Sequence, residues 1–185
     1  METIANNQIV KVGNSIYEKQ YEKAISQCKK LLEENPKSIE LHINLMDAYF
    51  KAKQLDASYY DMSTEHAKLA MLYGHNTGYA QQRLVINLTK DRKYYQAIQV
   101  CDIILSNSFH FSKHGCGTKD EFSKRKTKLM QQLNKSIDNA DDKIFTESEV
   151  QEIFYNIREK ERQELKEKLA AEKRMEELRK RIIHL

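Results

Sequence analysis

Turn-forming residues are scarce in this chain. It has 185 residues, yet it contains five glycines and a single proline. Sandwiches and barrels of antiparallel strands need many tight turns, which glycine and proline favour, so the composition argues strongly against an all-β fold. We therefore expect a mostly helical protein.

Long apolar runs are also lacking. Hydrophobic residues make up 40% of the chain, and the mean hydropathy is −0.75. No segment approaches the roughly 18 consecutive apolar residues that a membrane-spanning helix requires. Residues 1–12 show no basic stretch followed by an apolar one, so no secretory signal is expected. These observations predict a cytoplasmic protein with no membrane partner.

Catalytic motifs are absent from the sequence. It has no HExxH, GxSxG or DxDxDG pattern, so we expect neither enzymatic activity nor a cofactor. Its three cysteines are an odd number at wide spacings, which is typical of reduced thiols rather than a disulfide framework. Cys28 and Cys101 fall at helix-packing positions, where a cysteine acts as a small core residue.

One short segment does combine metal-ligand residue types. His110, His114 and Cys116 lie within seven residues, beside Gly115 and Gly117. A structural zinc site needs four ligands, and no second cluster with metal spacing is nearby. We predict a connecting loop here and no metal site.

Positive charge is modest overall but locally concentrated. The net charge is +4, less than nucleic-acid-binding domains usually carry, so a nucleic-acid partner is not expected. The segment 119–128 nevertheless has a basic face that could contact phosphate, although it lacks the interleaved aromatic residues that stack on bases. Its cationic residues are Lys119, Lys124, Arg125, Lys126 and Lys128.

The chain divides by charge density. Of the 112 residues up to Ser112, 25 are charged, whereas 33 of the remaining 73 are charged. We predict a helical domain over residues 1–139 and a charged C-terminal helix over 140–185. Removing residues 146–185 is then expected to leave a protein that still melts cooperatively.

An internal repeat is visible in the less charged part. Residues 21–32 and 94–105 share one pattern: Tyr, Ala three residues later, Cys four residues after the Ala, and an aliphatic pair three residues after the Cys. Between them, we assign Ser58 to the position of Ala24 and Ala97. The middle unit then carries about five extra residues after Ser58.

An amphipathic helix precedes each of these segments. The apolar residues recur at the three- and four-residue spacing of a helix face. The three stripes are Ile9, Val12 and Ile16; Leu41, Leu45, Ala48 and Tyr49; and, more loosely, Leu84, Ile86 and Leu88. The connections are predicted at 18–20, 51–54 and 90–93.

A unit of about 34 residues with two antiparallel helices, a small residue where they cross and Pro36 after the second helix resembles the tetratricopeptide repeat. The resemblance covers three repeats over residues 5–106. It departs from the family pattern in the first helix, where the expected aromatic is replaced in the second repeat by His42. The resemblance implies an all-α fold of two-helix repeats stacked in a short superhelix.

Two further helices follow the repeats. Thr118–Glu121 and Thr146–Glu149 both have the spacing of a capping box, in which two residues at a helix N-terminus cap each other. The first begins a helix predicted over 119–138, which would cover the exposed end of the last repeat with Phe122, Leu129, Leu133 and Ile137. The second begins a long charged helix that can run to the C-terminus.

The apolar stripe of that long helix is narrow and is broken at Glu161. It includes Ile153 and Ile157, then Leu165, Leu169, Met175 and Leu178. A coiled coil needs three or four unbroken heptads, which are not present. Docking on the repeats, weak self-association, a partner-bound helix and a free helix all stay open.

The resemblance also implies a binding groove on the concave side. Asn14, Asn44 and Arg83 match residues of the family's carboxylate clamp, which grips the C-terminus of a chaperone peptide. Val10 and Tyr79 stand where the clamp has lysines. We expect Asn14, Asn44, Tyr79 and Arg83 to converge and to favour an acidic, partly apolar peptide.

The favoured function is therefore a non-enzymatic protein–protein interaction module, a scaffold or co-chaperone-like adaptor that binds a peptide or helix in its groove. The alternative is a nucleic-acid or ribonucleoprotein accessory protein that uses the basic capping helix and the C-terminal helix.

Overall fold

The computed structural model describes residues 6–106, 118–134 and 143–183. Over these residues the chain forms α-helices and no strand. The helices are α1 (Asn6–Tyr17), α2 (Tyr21–Glu34), α3 (Ile39–Ala52), α4 (Ser58–Leu72), α5 (Tyr79–Lys90), α6 (Tyr94–Ser106), α7 (Lys119–Leu133) and α8 (Glu147–Ile183). None of these helices is both long and apolar enough to cross a membrane.

Consecutive helices from α1 to α7 pack against each other, and α1 also contacts α3. Short connections between neighbouring helices favour antiparallel pairs. The first six helices therefore form three hairpins, α1–α2, α3–α4 and α5–α6, and the predicted all-α architecture of stacked two-helix repeats is confirmed.

A small buried residue lies in the second helix of each hairpin. Ala24 and Ala97 are fully buried, as predicted, but Ser58 is exposed at the start of α4. The prediction for Ser58 was wrong, because Ser63 occupies this position. Ser63 is fully buried, and its hydroxyl donates a hydrogen bond to the carbonyl of Met46 at 2.9 Å.

The reason for the error is the place of the extra residues. Ser63 lies 34 residues before Ala97, the ordinary repeat length, so the extra residues lie between Ala24 and Ser63 and not after the small residue. The sequence carried a signal for this register: Tyr60 precedes Ser63 by three residues, as Tyr21 precedes Ala24 and Tyr94 precedes Ala97.

Enlarging these small residues is expected to destabilise the protein. Ala24→Leu and Ala97→Leu should each lower the free energy of unfolding by about 1–3 kcal/mol, because overpacking a close helix pair forces side chains and backbone apart. Urea denaturation measures the change. Ser26→Leu is the control, since Ser26 is exposed on α2. An unchanged midpoint for both alanine variants would contradict close packing at these positions.

The two buried cysteines belong to the core. Cys28 and Cys101 are free thiols with no exposed surface, and burial raises the pKa of each thiol to about 12. Neither forms appreciable thiolate at neutral pH, and the thiolate is the reactive form. Their prediction as core residues is confirmed.

The helix α7 covers the last hairpin. Its capping box is formed as predicted: the Glu121 amide donates to the Thr118 hydroxyl, and the Thr118 amide donates to the Glu121 carboxylate. Phe122 and Leu129 are buried, and α7 packs along α6. Ile137 lies outside the described residues, as do His110, His114 and Cys116.

The first turns of α8 dock on α4. Its predicted capping box at Thr146 and Glu149 is also formed. Ile153 and Ile157 are buried, and the side-chain amide of Asn156 donates a hydrogen bond of 2.7 Å to the backbone carbonyl of Leu72. Residues 162–179 are all exposed. The domain boundary between residues 139 and 140 stays a prediction, and so does self-association through the exposed part of α8.

Candidate functional site

Two side chains of α5 contact one carboxylate of α3. The Tyr79 hydroxyl donates a 2.6 Å hydrogen bond to Asp47 Oδ1, and Arg83 Nη2 lies 3.8 Å from the same oxygen. Burial first, and then the neighbouring Asp47, raise the pKa of Tyr79 to about 12, so the phenol keeps its proton and remains a donor. Asp47 thus joins the first helices of the second and third hairpins.

Three cationic side chains lie close to the ring of Phe50, and one of them is the Arg83 that contacts Asp47. Arg83 Cζ lies 3.6 Å from the ring centroid, Lys53 Nζ 3.8 Å and Lys90 Nζ 5.9 Å. Cations within about 6 Å of an aromatic face are attracted to it. The pKa of Lys53 lies below its ordinary value because of partial burial first and then the positive charge of Lys90. Positive charge is therefore crowded around this ring.

A cleft of about 460 Å³ continues this surface between α5 and α7. Ile86 and Leu129 provide apolar surface in the cleft. Its polar lining residues are Thr89, Lys90, Lys124, Arg125, Lys128 and Gln132. Lys90 belongs both to the cleft and to the cluster around Phe50, so the two regions are continuous.

We call this continuous surface the basic strip. It spans the C-terminus of α3, the length of α5 and the middle of α7. Its six cationic residues are Lys53, Arg83, Lys90, Lys124, Arg125 and Lys128. No cluster of three or more metal-ligating side chains occurs within the described ranges.

The tetratricopeptide repeat family model matches residues 15–58, from the end of α1 to the start of α4. This chain contains a tetratricopeptide repeat. Repeats of this family are generally protein–protein interaction modules and are typically non-enzymatic. Neither a curated protein nor a solved structure gives a significant match to the chain.

The structure brings together two of the four residues predicted for the groove of the tetratricopeptide repeats. Tyr79 and Arg83 meet at Asp47. Asn14 is exposed on α1 and Asn44 is half-buried on α3. Among the described residues, neither asparagine side chain hydrogen-bonds to another of the four. The role of all four in peptide binding stays a prediction.

Sequence reasoning missed several residues of this surface. Asp47 and Phe50 are three residues apart, which places them on one side of α3, away from the buried Leu41, Leu45 and Ala48. That spacing could have identified them once the buried stripe was known. Ile86 was expected in the buried stripe of α5, but it is half-buried and lines the cleft instead.

The sequence predicts the basic face of α7 as an alternative to the groove. The structure places the two side by side, because Lys90 of α5 reaches both Phe50 and the α5–α7 cleft. One continuous surface therefore contains Arg83 of the predicted groove together with Lys124, Arg125 and Lys128 of the basic face.

Proposed function

We propose that this chain is a non-enzymatic interaction module, a scaffold or adaptor that binds an acidic peptide or helix of a protein partner along α3, α5 and α7. The observation that carries the proposal is the basic strip, in which six cations from three successive first helices line one face. Clustered charge of one sign attracts an oppositely charged partner and speeds its association.

Arg83 is well suited to contribute to such binding. Its guanidinium is stacked over Phe50, which fixes its orientation before a partner arrives. The Asp47 carboxylate at 3.8 Å compensates part of its charge. Arginine donates hydrogen bonds in a planar fork that matches a carboxylate. An acidic side chain of the partner can therefore compete with Asp47 for this group.

The proposal predicts opposite effects for two substitutions at this contact. Asp47→Asn removes a competing negative charge and should strengthen binding to an acidic partner. Arg83→Gln should weaken binding about tenfold or more, since a hydrogen bond to a charged group contributes about 1.5–3 kcal/mol. Arg83→Lys keeps the charge and should lose less. Thermal melts of all three separate lost binding from lost stability.

The binding face is tested by photo-crosslinking in cells of the source. A photoreactive residue at position 44 should form adducts with a protein partner, and the Arg83→Gln substitution should reduce their yield. The same photoreactive residue at position 30, where Lys30 is exposed on α2, should form few adducts. Adducts from position 30 alone, or adducts with RNA rather than protein at position 44, would contradict the proposal.

A co-chaperone-like adaptor would bind a narrower class of partners. It would bind a free C-terminal carboxylate, with Asn14, Asn44 and Arg83 as donors. Amidation of the partner's C-terminus then abolishes binding. Unchanged binding after amidation would exclude the clamp and leave the broader interaction role intact.

A further inference from the structure

The α5–α7 cleft combines apolar surface with a positive rim. Ile86, which is half-buried, and Leu129, which is 2% exposed, both line the cleft with apolar side chains. Lys124 and Lys128 are exposed at its edge, with Lys90 on the opposite helix. Ligand sites are commonly concave and mostly apolar with a few placed polar groups, in volumes of about 300–1,000 Å³. A cleft of about 460 Å³ is within that range.

The charges of α7 are distributed unequally between its two sides. Lys126, on the side toward α6, forms an ion pair with Asp102. Among the described residues, no carboxylate forms an ion pair with Lys90, Lys124, Arg125 or Lys128. Nearby Glu121 accepts a hydrogen bond from the Thr118 amide, as part of the capping box. Within the part of the chain that the structure describes, the cationic side chains that line the cleft therefore lack the ion pair that Lys126 has.

This arrangement is unfavourable for the free protein. Lys124 and Lys128 are four residues apart on one helix, where like charges repel and destabilise it. Arg125 and Lys90 bring further positive charge to the same cleft. Binding of several negative groups would relieve the repulsion. A single terminal carboxylate would leave most of this repulsion in place.

We propose that the α5–α7 cleft binds an internal acidic segment of the protein partner, with one apolar side chain against Ile86 and Leu129 and flanking Asp or Glu carboxylates paired with Lys90, Lys124 and Lys128. The inference rests on the proposed function and specifies the sequence class of the partner: acidic residues on both sides of a leucine-like residue. The apolar surface favours this occupant over a nucleic-acid strand, because none of the described residues that line the cleft is an aromatic on which bases could stack.

The experiment uses the full chain and a synthetic peptide. The probe is an acetylated and amidated peptide in which one leucine is flanked by glutamates, labelled for fluorescence anisotropy. The double variant Lys124→Gln/Lys128→Gln should bind it about tenfold more weakly, which corresponds to about 1.4 kcal/mol. The control Lys30→Gln/Lys37→Gln makes the same charge change at two exposed positions outside the basic strip and should retain the wild-type Kd.

The apolar contact is tested from both sides. Replacing the peptide's leucine by serine should weaken binding to the wild-type protein several-fold. Ile86→Ser should weaken binding of the leucine peptide more than binding of the serine peptide. Because the peptide-side change leaves the protein intact, this arm stays informative even if Ile86→Ser unfolds.

Three results would overturn the inference. Equal weakening by both double variants would show a response to net charge alone. Equal affinity for the leucine and serine peptides would exclude an apolar contact between the peptide and the cleft. A short poly-uridine RNA that binds more tightly than the peptide and depends more on Lys124 and Lys128 would assign the cleft to nucleic acid. If position 44 still crosslinks to a protein in any of these cases, the proposed function stands and the cleft inference fails alone.

Discussion

Truncation after Lys143 should lower the free energy of unfolding by roughly 4–8 kcal/mol, whereas truncation after Arg162 should change it by less than about 1 kcal/mol. The larger loss is comparable with the whole stability of an ordinary domain, which is about 5–15 kcal/mol. The shorter chain is therefore expected to lose its cooperative thermal transition.

The difference between the two truncations follows from burial. Phe145 and Ile153 have no exposed surface and Ile157 is 3% exposed, and all three belong to the core that includes α5, α6 and α7. Burial of one such side chain contributes about 1.5–3 kcal/mol. Residues 162–179 are exposed, so truncation after Arg162 removes no buried side chain from the described part of α8.

A close backbone approach supports the same conclusion. Gly74, in the α4–α5 connection, has a φ of +95°, and a Cβ placed on it would lie 3.1 Å from the backbone carbonyl carbon of Asn156. Glycine is the residue that tolerates both the positive φ and the contact. The α4–α5 connection is thus shaped to receive α8.

Urea and thermal denaturation of both truncated chains measure the effect. Ile153→Ala in the full chain is the matched point variant and should cost about 2–5 kcal/mol. A chain ending at Lys143 that melts cooperatively at the wild-type temperature would instead support the boundary at residue 140 and the expectation that residues 146–185 are dispensable.

Acid should begin to destabilise the protein at pH values well above those at which carboxylates usually titrate. Lowering the pH from 6.5 to 4 is expected to reduce the free energy of unfolding by about 2 kcal/mol for each of two histidines, His66 and His75. Burial is the main reason that the pKa of each is lowered to about 4. The nearby His42 and Lys29 contribute the smaller part of this lowering of the pKa for His66, and Lys160 does so for His75.

The geometry explains why the neighbouring His42 resists a proton and how His66 is covered. The Nδ1 atoms of His42 and His66 are 2.9 Å apart, and His42 Nε2 lies 2.9 Å from the carbonyl of Pro36. His42 Nε2 must donate to that carbonyl, so neutral His42 accepts from His66 through Nδ1. Protonation of His42 would place two hydrogens between the Nδ1 atoms. The ring of Tyr49 stacks on His66 and covers it.

The direction of the pH effect follows from linkage. The folded pKa of about 4 lies below the ordinary value of 6.5, so the unfolded chain binds more protons between these two pH values. The contribution of the two neutral histidines to the free energy of unfolding is therefore complete above pH 6.5 and is lost as the pH falls toward 4.

Urea midpoints measured at several pH values between 7 and 4 test this window. His66→Gln and His75→Gln should each reduce the loss between pH 6.5 and 4.5. Glu149→Gln is the control, because the lowered pKa of that carboxylate places its own effect below pH 4.5. A flat midpoint between pH 6.5 and 4.5 in the wild-type protein would contradict the prediction.

The sequence by itself determined the features that depend on near neighbours in the chain. Helical periodicity identified the apolar faces, and the spacing of Tyr, Ala and Cys identified the first and third hairpins. The capping boxes at Thr118 and Thr146 were predicted to the residue. These signals are readable because a helix brings residues three and four apart onto one face, whatever the rest of the chain does.

The tertiary structure decided what depends on residues far apart in sequence. Asp47 meets Tyr79 across 32 positions, and Asn156 reaches Leu72 across 84. Both contacts depend on how the helices stack. The position of Ile86 in the cleft also depends on this stacking, because an apolar residue in a sequence is as compatible with a groove as with a core. The basic strip has the same origin: its charges come from three helices, and electrostatic interaction acts through distance in space, which spacing along a chain does not specify.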